Sequence, residues 1–68
     1  MGSQQQIGKN LKKARIKAGY TQAQLAKKAG VSSNYYARLE RGEDNASIET
    51  VEKLVKALEV KSSEVLPF

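Results

Sequence analysis

The side chains best suited to chemistry are concentrated in residues 32–41, which read SSNYYARLER. Serine and asparagine are mediocre residues for a helix interior, because their side chains compete for nearby backbone groups. Even so, Tyr36 and Leu39 have the spacing of an apolar helix face, while Asn34 and Arg38 fall on a polar one. Amide and guanidinium groups form paired hydrogen bonds with flat polar edges, and this is the chemistry that distinguishes nucleobases.

A helix with this polar front would contact bases through its first turn. Asparagine can bond adenine through two atoms, arginine can bond guanine through two, and serine can serve either partner. The N-terminal residues of such a helix reach deepest into the major groove. We therefore predict that Ser32, Ser33 and Asn34 lie at the bases, with Arg38 one turn further on.

These side chains also have structural interpretations, which the sequence leaves open. Ser32 can act as a helix N-cap, alone or together with a base contact. Arg38 can be a solvated arginine, and Arg41 can either contact a phosphate or only favour the negative end of the helix dipole. Tyr35 lies between the two faces, so its ring can pack while its hydroxyl reaches a phosphate, and the sequence does not decide between these roles.

Helical spacing of apolar residues predicts the elements that precede this helix. A first helix ends at Gly19, and Thr21-Gln22-Ala23-Gln24 matches a capping box that begins a second helix. The second helix ends at Gly30, and the turn after it has only about three residues, so the second and third helices must cross steeply. The inward face of the first helix is predicted to consist of Ile7, Leu11, Ala14 and Ala18.

The remaining elements are helical as well. The third helix is capped by Ser32 or Ser33 and ends at Gly42, Ser47 caps a fourth helix, and a last short helical turn precedes Pro67. No alternating run of β-branched residues is long enough for a strand. The sequence therefore predicts an all-α fold, a compact bundle of five short helices in which helices 2 and 3 form a helix-turn-helix.

The charge of +5 is distributed unevenly along the 68 residues. Residues 1–41 contain nine basic residues and one acidic residue, giving +8, and residues 42–68 contain three basic and six acidic residues, giving −3. This asymmetry favours a polyanionic partner for the first part of the chain. We assign Lys9, Lys12 and Lys27 to phosphate contacts on that basis.

Missing residue types exclude several function classes. The chain has neither cysteine nor histidine, which excludes ordinary structural zinc sites and Cys- or His-based catalysis. It contains no Gly-rich phosphate loop and no apolar run of the ~20 residues that a membrane span needs. We expect a cytoplasmic protein that is not an enzyme and takes no cofactor, metal or small-molecule ligand. Residues 7–68 are predicted to form one domain, with residues 1–6 interpreted as a tag remnant and an N-terminal extension or the start of the first helix.

The segment TQAQLAKKAGVSSNYYARLERG resembles the helix-turn-helix of the Cro and phage-repressor (lambda-repressor-like, XRE-type) family of bacterial DNA-binding proteins. The match extends over several positions. From Gln22, a small Ala26 lies four residues on, Gly30 eight, Tyr36 fourteen and Leu39 seventeen. The flanking segments LKKARIKAGYTQ and ERGEDNASIETVEKLVKALEV are similar to the first and fourth helices of the family, the latter as found in controller proteins of restriction–modification systems.

The resemblance implies a transcriptional regulator that binds double-stranded DNA at a two-fold operator, acting as a repressor or controller. It places Thr21 and Gln22 at a phosphate and pairs Arg15 with Glu40, which is the only acid among the first 41 residues. One position departs from the family. Tyr36 stands where Ile or Val is more usual, and a buried phenol needs a hydrogen-bond partner.

The resemblance also implies a homodimer, and we predict a weak one. The candidate interface residues are Val65, Leu66 and Phe68, although Val65 and Leu66 can instead close the core. The alternative function is a protein-interaction module of the antitoxin or coactivator type, with weak or no specific DNA binding.

Overall fold

A computed structural model describes residues 3–67, in which four α-helices are followed by one turn of 3-10 helix. The all-α prediction is confirmed for these residues, but the count of five helices is wrong. The predicted fifth helix is only the 3-10 turn, which ends at Glu64, three residues before Pro67. The elements are α1 (Ser3–Ala18), α2 (Gln22–Ala29), α3 (Ser33–Arg41), α4 (Ile48–Leu58) and the 3-10 helix (Ser62–Glu64).

Helix α1 starts earlier than residue 7, the start of the domain predicted from the sequence. Residues 3–6 are already helical, so the predicted extension is part of α1 from Ser3 onward, whereas residues 1, 2 and 68 lie outside the described part of the chain. Leu11 is fully buried at the centre of the predicted apolar face. Ala18, at the last helical position, is exposed, so its assignment to that face is wrong.

Side chains at the helix starts satisfy backbone N–H groups that have no partner within their helix. The predicted capping box of α2 is confirmed, since Thr21 Oγ1 accepts from the Gln24 N–H at 3.1 Å and Gln24 Oε1 accepts from the Thr21 N–H at 2.8 Å. Ser32, and not Ser33, is the N-cap of α3 and accepts from the Tyr35 N–H at 3.1 Å. Caps of this kind each stabilise a helix by about 1 kcal/mol.

The turn between α2 and α3 depends on Gly30. This residue has φ +78°, a left-handed conformation that costs other L-residues about 1 kcal/mol. The N–H groups of Gly30 and Val31 return to the Lys27 and Ala26 carbonyls at 3.2 and 3.0 Å, which closes the end of α2. As predicted, α2 ends there, and α3 begins only three residues later.

The core forms where α1 packs on α3 and where α2 packs on both α3 and α4. Tyr36 and Leu39 are buried, as their spacing predicted. The helix-interior Gly8 of α1 is also buried, and a methyl group on it would lie 2.5 Å from the carbonyl oxygen of Glu40 in α3. The absence of a side chain at Gly8 therefore lets α1 approach the end of α3. None of the helices within residues 3–67 combines the length and apolar character needed to cross a membrane.

Candidate nucleic-acid interface

The first turn of α3 presents its polar side chains to solvent. Ser33 and Asn34 are exposed, and within residues 3–67 neither side chain forms a hydrogen bond. Ser32 is exposed as well, and although its oxygen accepts the capping bond, its hydroxyl proton remains able to donate. This end of the helix therefore offers donors and acceptors at the three positions predicted to contact bases.

Arg38 projects from the same helix but has a partner in the chain itself. Its side chain is 44% exposed, and Nε donates to Asp44 Oδ2 at 2.9 Å. Its guanidinium carbon lies 5.9 Å from the centroid of the Tyr35 ring. Tyr35 is half-buried, and its hydroxyl donates to the Asn45 carbonyl at 3.1 Å, so this hydroxyl is engaged by the chain itself and not directed to a phosphate.

Arg41 is also paired with an acid in the loop after α3. Its Nε and Nη2 donate to the two carboxylate oxygens of Glu43, at 2.9 and 3.1 Å. The hydrogen bond from Arg41 lowers the pKa of Glu43, and the same bond raises the pKa of Arg41. Both side chains are more than half exposed, so the pair adds little to stability. We did not predict either arginine pair, although two acids within three residues of the end of a basic helix were a usable signal.

Behind this surface, Glu40 joins three helices. Its carboxylate lies 2.7 Å from Arg15 Nε, so the structure brings the expected partners together. It also accepts from Arg15 Nη2 at 3.2 Å, Gln22 Nε2 at 2.9 Å and the Tyr36 hydroxyl at 2.5 Å. Tyr36, which stands where the family more usually has Ile or Val, thus has a hydrogen-bond partner for its phenol. That partner is Glu40, one helical turn further along α3.

The environment of Glu40 keeps it ionised. Burial alone raises the pKa of a carboxyl group, but hydrogen bonds from Arg15, Tyr36 and Gln22 outweigh it, and the pKa of Glu40 lies below its ordinary value. The Glu40 bond raises the pKa of Arg15, and burial followed by the bond to Glu40 raises the pKa of Tyr36. The neutral phenol therefore donates to a charged carboxylate.

The predicted phosphate contacts divide into two groups. Gln22 donates one amide N–H to Glu40 at 2.9 Å, so part of its side chain is engaged by the protein, and its contact with a phosphate stays a prediction. The sequence could not reveal this, because the contact exists only once α2 crosses α3. Thr21 is exposed with a hydroxyl able to donate. The three predicted lysines are exposed and form no salt bridge within the described residues; they are Lys9, Lys12 and Lys27.

The C-terminal segment belongs mainly to the core. Val65 has no exposed surface, and its carbonyl accepts from Asn10 Nδ2 at 2.9 Å. Val65 therefore cannot contribute a side chain to a dimer surface. Its assignment to the interface is wrong, and it belongs to the core, which was the alternative. Leu66 is half-buried against the core, and Phe68 lies outside the described residues.

The sequence of this chain is similar to those of known proteins. A family model described as Helix-turn-helix matches residues 11–65. The transcriptional regulator SinR of Bacillus subtilis (strain 168) is 40% identical over 55 residues, covering 79% of this chain and 50% of SinR. The chain thus spans about half the length of the curated relatives that it matches first.

Two solved structures are similar in fold over most of the chain. The restriction-modification controller protein C.AhdI from Aeromonas hydrophila matches with a TM-score of 0.92 and 29% identity, covering 97% of this chain and 100% of that one. SinR, described as a master regulator for biofilm formation and solved in complex with DNA, matches with a TM-score of 0.80 and 38% identity, covering 84% and 92% of the two chains.

Proposed function

Because the chain belongs to the helix-turn-helix family, we propose that it is a sequence-specific DNA-binding protein that regulates transcription, as a repressor or a controller. In this proposal, α3 enters the major groove of double-stranded DNA. The relatives support the regulatory role, since SinR is named a transcriptional regulator and C.AhdI a restriction-modification controller. Neither name describes an enzyme, which agrees with the absence of cysteine and histidine.

The observation that carries the proposal is the opposite exposure of the two faces of α3. Tyr36 and Leu39 are buried, while Ser33 and Asn34 are exposed without intramolecular hydrogen bonds in the described part of the chain. Burying such groups against an apolar surface would cost about 1–3 kcal/mol for each unsatisfied donor or acceptor. A base edge satisfies them, and asparagine in particular matches adenine.

The electrostatics of the chain support a polyanionic ligand. The exposed lysines of α1 and α2 can neutralise phosphates, and the counterions released from DNA would then add to the affinity. We propose Ser32, Ser33, Asn34 and Arg38 as base-contacting residues and Thr21, Lys9, Lys12 and Lys27 as phosphate-contacting residues. A cytoplasmic location follows from this role.

A single domain of this size contacts too little DNA for tight binding. One such module buries under ~1,000 Å² on DNA. We propose a weak homodimer that places two α3 helices about 34 Å apart on a two-fold operator, with Leu66, Phe68 and the neighbouring surface of α4 at the interface. Sedimentation velocity at increasing protein concentration should show the dimer, and a monomer at all concentrations would contradict it.

Selection of bound sequences from a random duplex library tests the whole proposal. We expect an enriched motif with two-fold symmetry and half-sites one helical turn apart. A filter-binding titration of a random duplex at rising salt is the companion measurement. No enriched motif together with little salt-dependent binding would reject the regulator and favour a protein-interaction module.

A further inference from the structure

The loop of residues 43–46 lies on the face of α3 that the proposed function directs at DNA. Two contacts tie this acidic loop to the helix: Asp44 Oδ2 accepts from Arg38 Nε at 2.9 Å, and the Asn45 carbonyl accepts from the Tyr35 hydroxyl at 3.1 Å. A carboxylate at this place opposes the approach of a polyanion, because like charges repel. The Asp44 carboxylate therefore does not strengthen DNA binding by its charge, and another physical reason must explain its position.

The geometry of the pair leaves the tip of Arg38 available. The only hydrogen bond of this guanidinium within residues 3–67 uses Nε, so both terminal nitrogens remain able to donate. The Tyr35 ring, 5.9 Å from the guanidinium carbon, restrains it from a second direction. Bidentate recognition of guanine needs two outward N–H groups held in one plane, and a guanidinium fixed at Nε and against a ring meets that need.

Arg41 forms an ion pair that does not leave both of its terminal nitrogens free. Glu43 engages Arg41 through both Nε and Nη2, which leaves only one terminal nitrogen free of the carboxylate. The two acids therefore differ in their effect, although they carry the same charge one residue apart. Asp44 leaves both terminal nitrogens of Arg38 able to donate, whereas Glu43 occupies one terminal nitrogen of Arg41.

We propose that Asp44 is a positioning residue that determines specificity: it holds Arg38 so that the two terminal nitrogens meet a guanine edge. This inference rests on the proposed function. An unrestrained arginine would bond any nearby phosphate, and phosphate contacts carry no sequence information. The Asp44 carboxylate makes that alternative less favourable by repelling phosphate, and it reduces the rotamer freedom that Arg38 loses on binding.

The experiment compares affinities for two duplexes that differ at one base pair. The enriched operator is used first to find the base pair at which Arg38→Ala loses discrimination. For Asp44→Asn, we expect the ratio of Kd values between the altered and the enriched duplex to fall about ten-fold. The Kd for a random duplex should stay constant or decrease, because one negative charge near the phosphates is removed.

Glu43→Gln is the matched control, since it removes the same charge from the adjacent residue. We expect it to tighten binding to both duplexes by a similar factor and to leave their Kd ratio unchanged. Circular dichroism melting of both variants checks that α3 stays folded.

Equal tightening of both duplexes by Asp44→Asn would overturn the inference and reduce Asp44 to an electrostatic barrier. An unchanged ratio with an unchanged random-duplex Kd would overturn it as well. Failure of the proposed function is distinguishable, because the wild-type protein would then show no preference between the duplexes before Asp44 is altered.

Discussion

At the scale of single residues, Glu40 is a charged group in a largely desolvated environment. Only 3% of its side chain is exposed, yet it carries a charge. Desolvation of a carboxylate costs several kcal/mol, so its stability contribution depends on its donors from α1, α2 and α3. Because the pKa of Glu40 is lower in the folded chain than the ordinary 4.5, the folded state binds fewer protons in the acid range.

This sign gives a pH prediction. The free energy of unfolding should decrease as the pH falls from the ordinary value of 4.5 through the lower pKa of folded Glu40. In Glu40→Gln this part of the pH dependence should disappear, and stability near neutral pH should be about 3 kcal/mol lower because Arg15 loses its charged partner. Urea unfolding across the acid range measures both effects.

A milder variant keeps that prediction testable if Glu40→Gln does not fold. Tyr36→Phe removes one of the donors to Glu40, and it should cost about 1 kcal/mol near neutral pH and weaken the acid dependence. Parallel pH profiles for this variant and the wild type would contradict the role assigned to Glu40.

Arg38 gives the residue-scale prediction for binding. Arg38→Ala should cost about 1–3 kcal/mol at the enriched operator and relax the preference at one base pair. The physical reason is the loss of two directed hydrogen bonds to one base edge, which random DNA does not offer in the same register. Competition binding with enriched and random duplexes measures the difference. An equal loss of affinity on both would assign Arg38 to a phosphate.

At the scale of elements, the contact between α1 and α3 sets where α3 can lie. It requires Gly8, since a Cβ at this position would be 2.5 Å from the Glu40 carbonyl oxygen and 2.9 Å from its carbonyl carbon. Both atoms are backbone and cannot turn aside, so the helices would have to separate. The sequence carried a weak signal, because a glycine inside a helical pattern costs about 1 kcal/mol relative to alanine.

Gly8→Ala should therefore destabilise the chain by about 2 kcal/mol. Helix propensity alone predicts the opposite, a gain of about 1 kcal/mol, so the sign of the change decides between packing and propensity. Gly19→Ala is the control, since Gly19 has φ +84° with nothing near its missing Cβ. It should cost about 1 kcal/mol through backbone conformation alone. Urea unfolding of both variants provides the comparison.

The elements themselves follow from local signals in the sequence. The capping box at Thr21 and the glycine that ends α2 are short-range patterns, and both are confirmed in the structure. The last helix was overestimated because SSEVL reads as helical, whereas the chain forms one 3-10 turn there. Contacts between elements were harder to predict. The bond from Gln22 to Glu40 and the pairing of Arg38 with Asp44 depend on how the chain folds back, which periodicity does not encode.

At the scale of the whole molecule, the resemblance to the Cro and phage-repressor family is confirmed by the family match over residues 11–65. The fold could be predicted because each local pattern agreed with the same architecture. The base-contacting residues remain a prediction. The structure adds that Arg38, one of these residues, forms an ion pair with Asp44. Asp44 belongs to residues 42–68, which carry a net charge of −3, so the uneven charge distribution did not predict this pair.

The same asymmetry predicts how salt affects binding. The logarithm of the DNA affinity should fall linearly with the logarithm of salt concentration. Lys9→Ala and Lys12→Ala should each reduce that slope by up to about 0.9 where the lysine contacts a phosphate, and they should weaken binding to all sequences alike. Lys53→Ala, in the part of the chain with net negative charge, should leave the slope unchanged. Fluorescence anisotropy at several salt concentrations measures it, and equal slope changes in all three variants would contradict the assignment.

The hydrogen bonds around Glu40 also constrain how the sequence of this chain can change during evolution. A lineage that replaced Arg15 or Glu40 singly would pass through an intermediate with a lone charge sealed inside, so drift at these two sites is expected to be joint or absent. The Gln22 amide and the Tyr36 phenol both donate toward position 40, so an acid is favoured over a base at that position. Positions 15 and 40 are thereby expected to be inherited as one unit, whereas position 36 can vary.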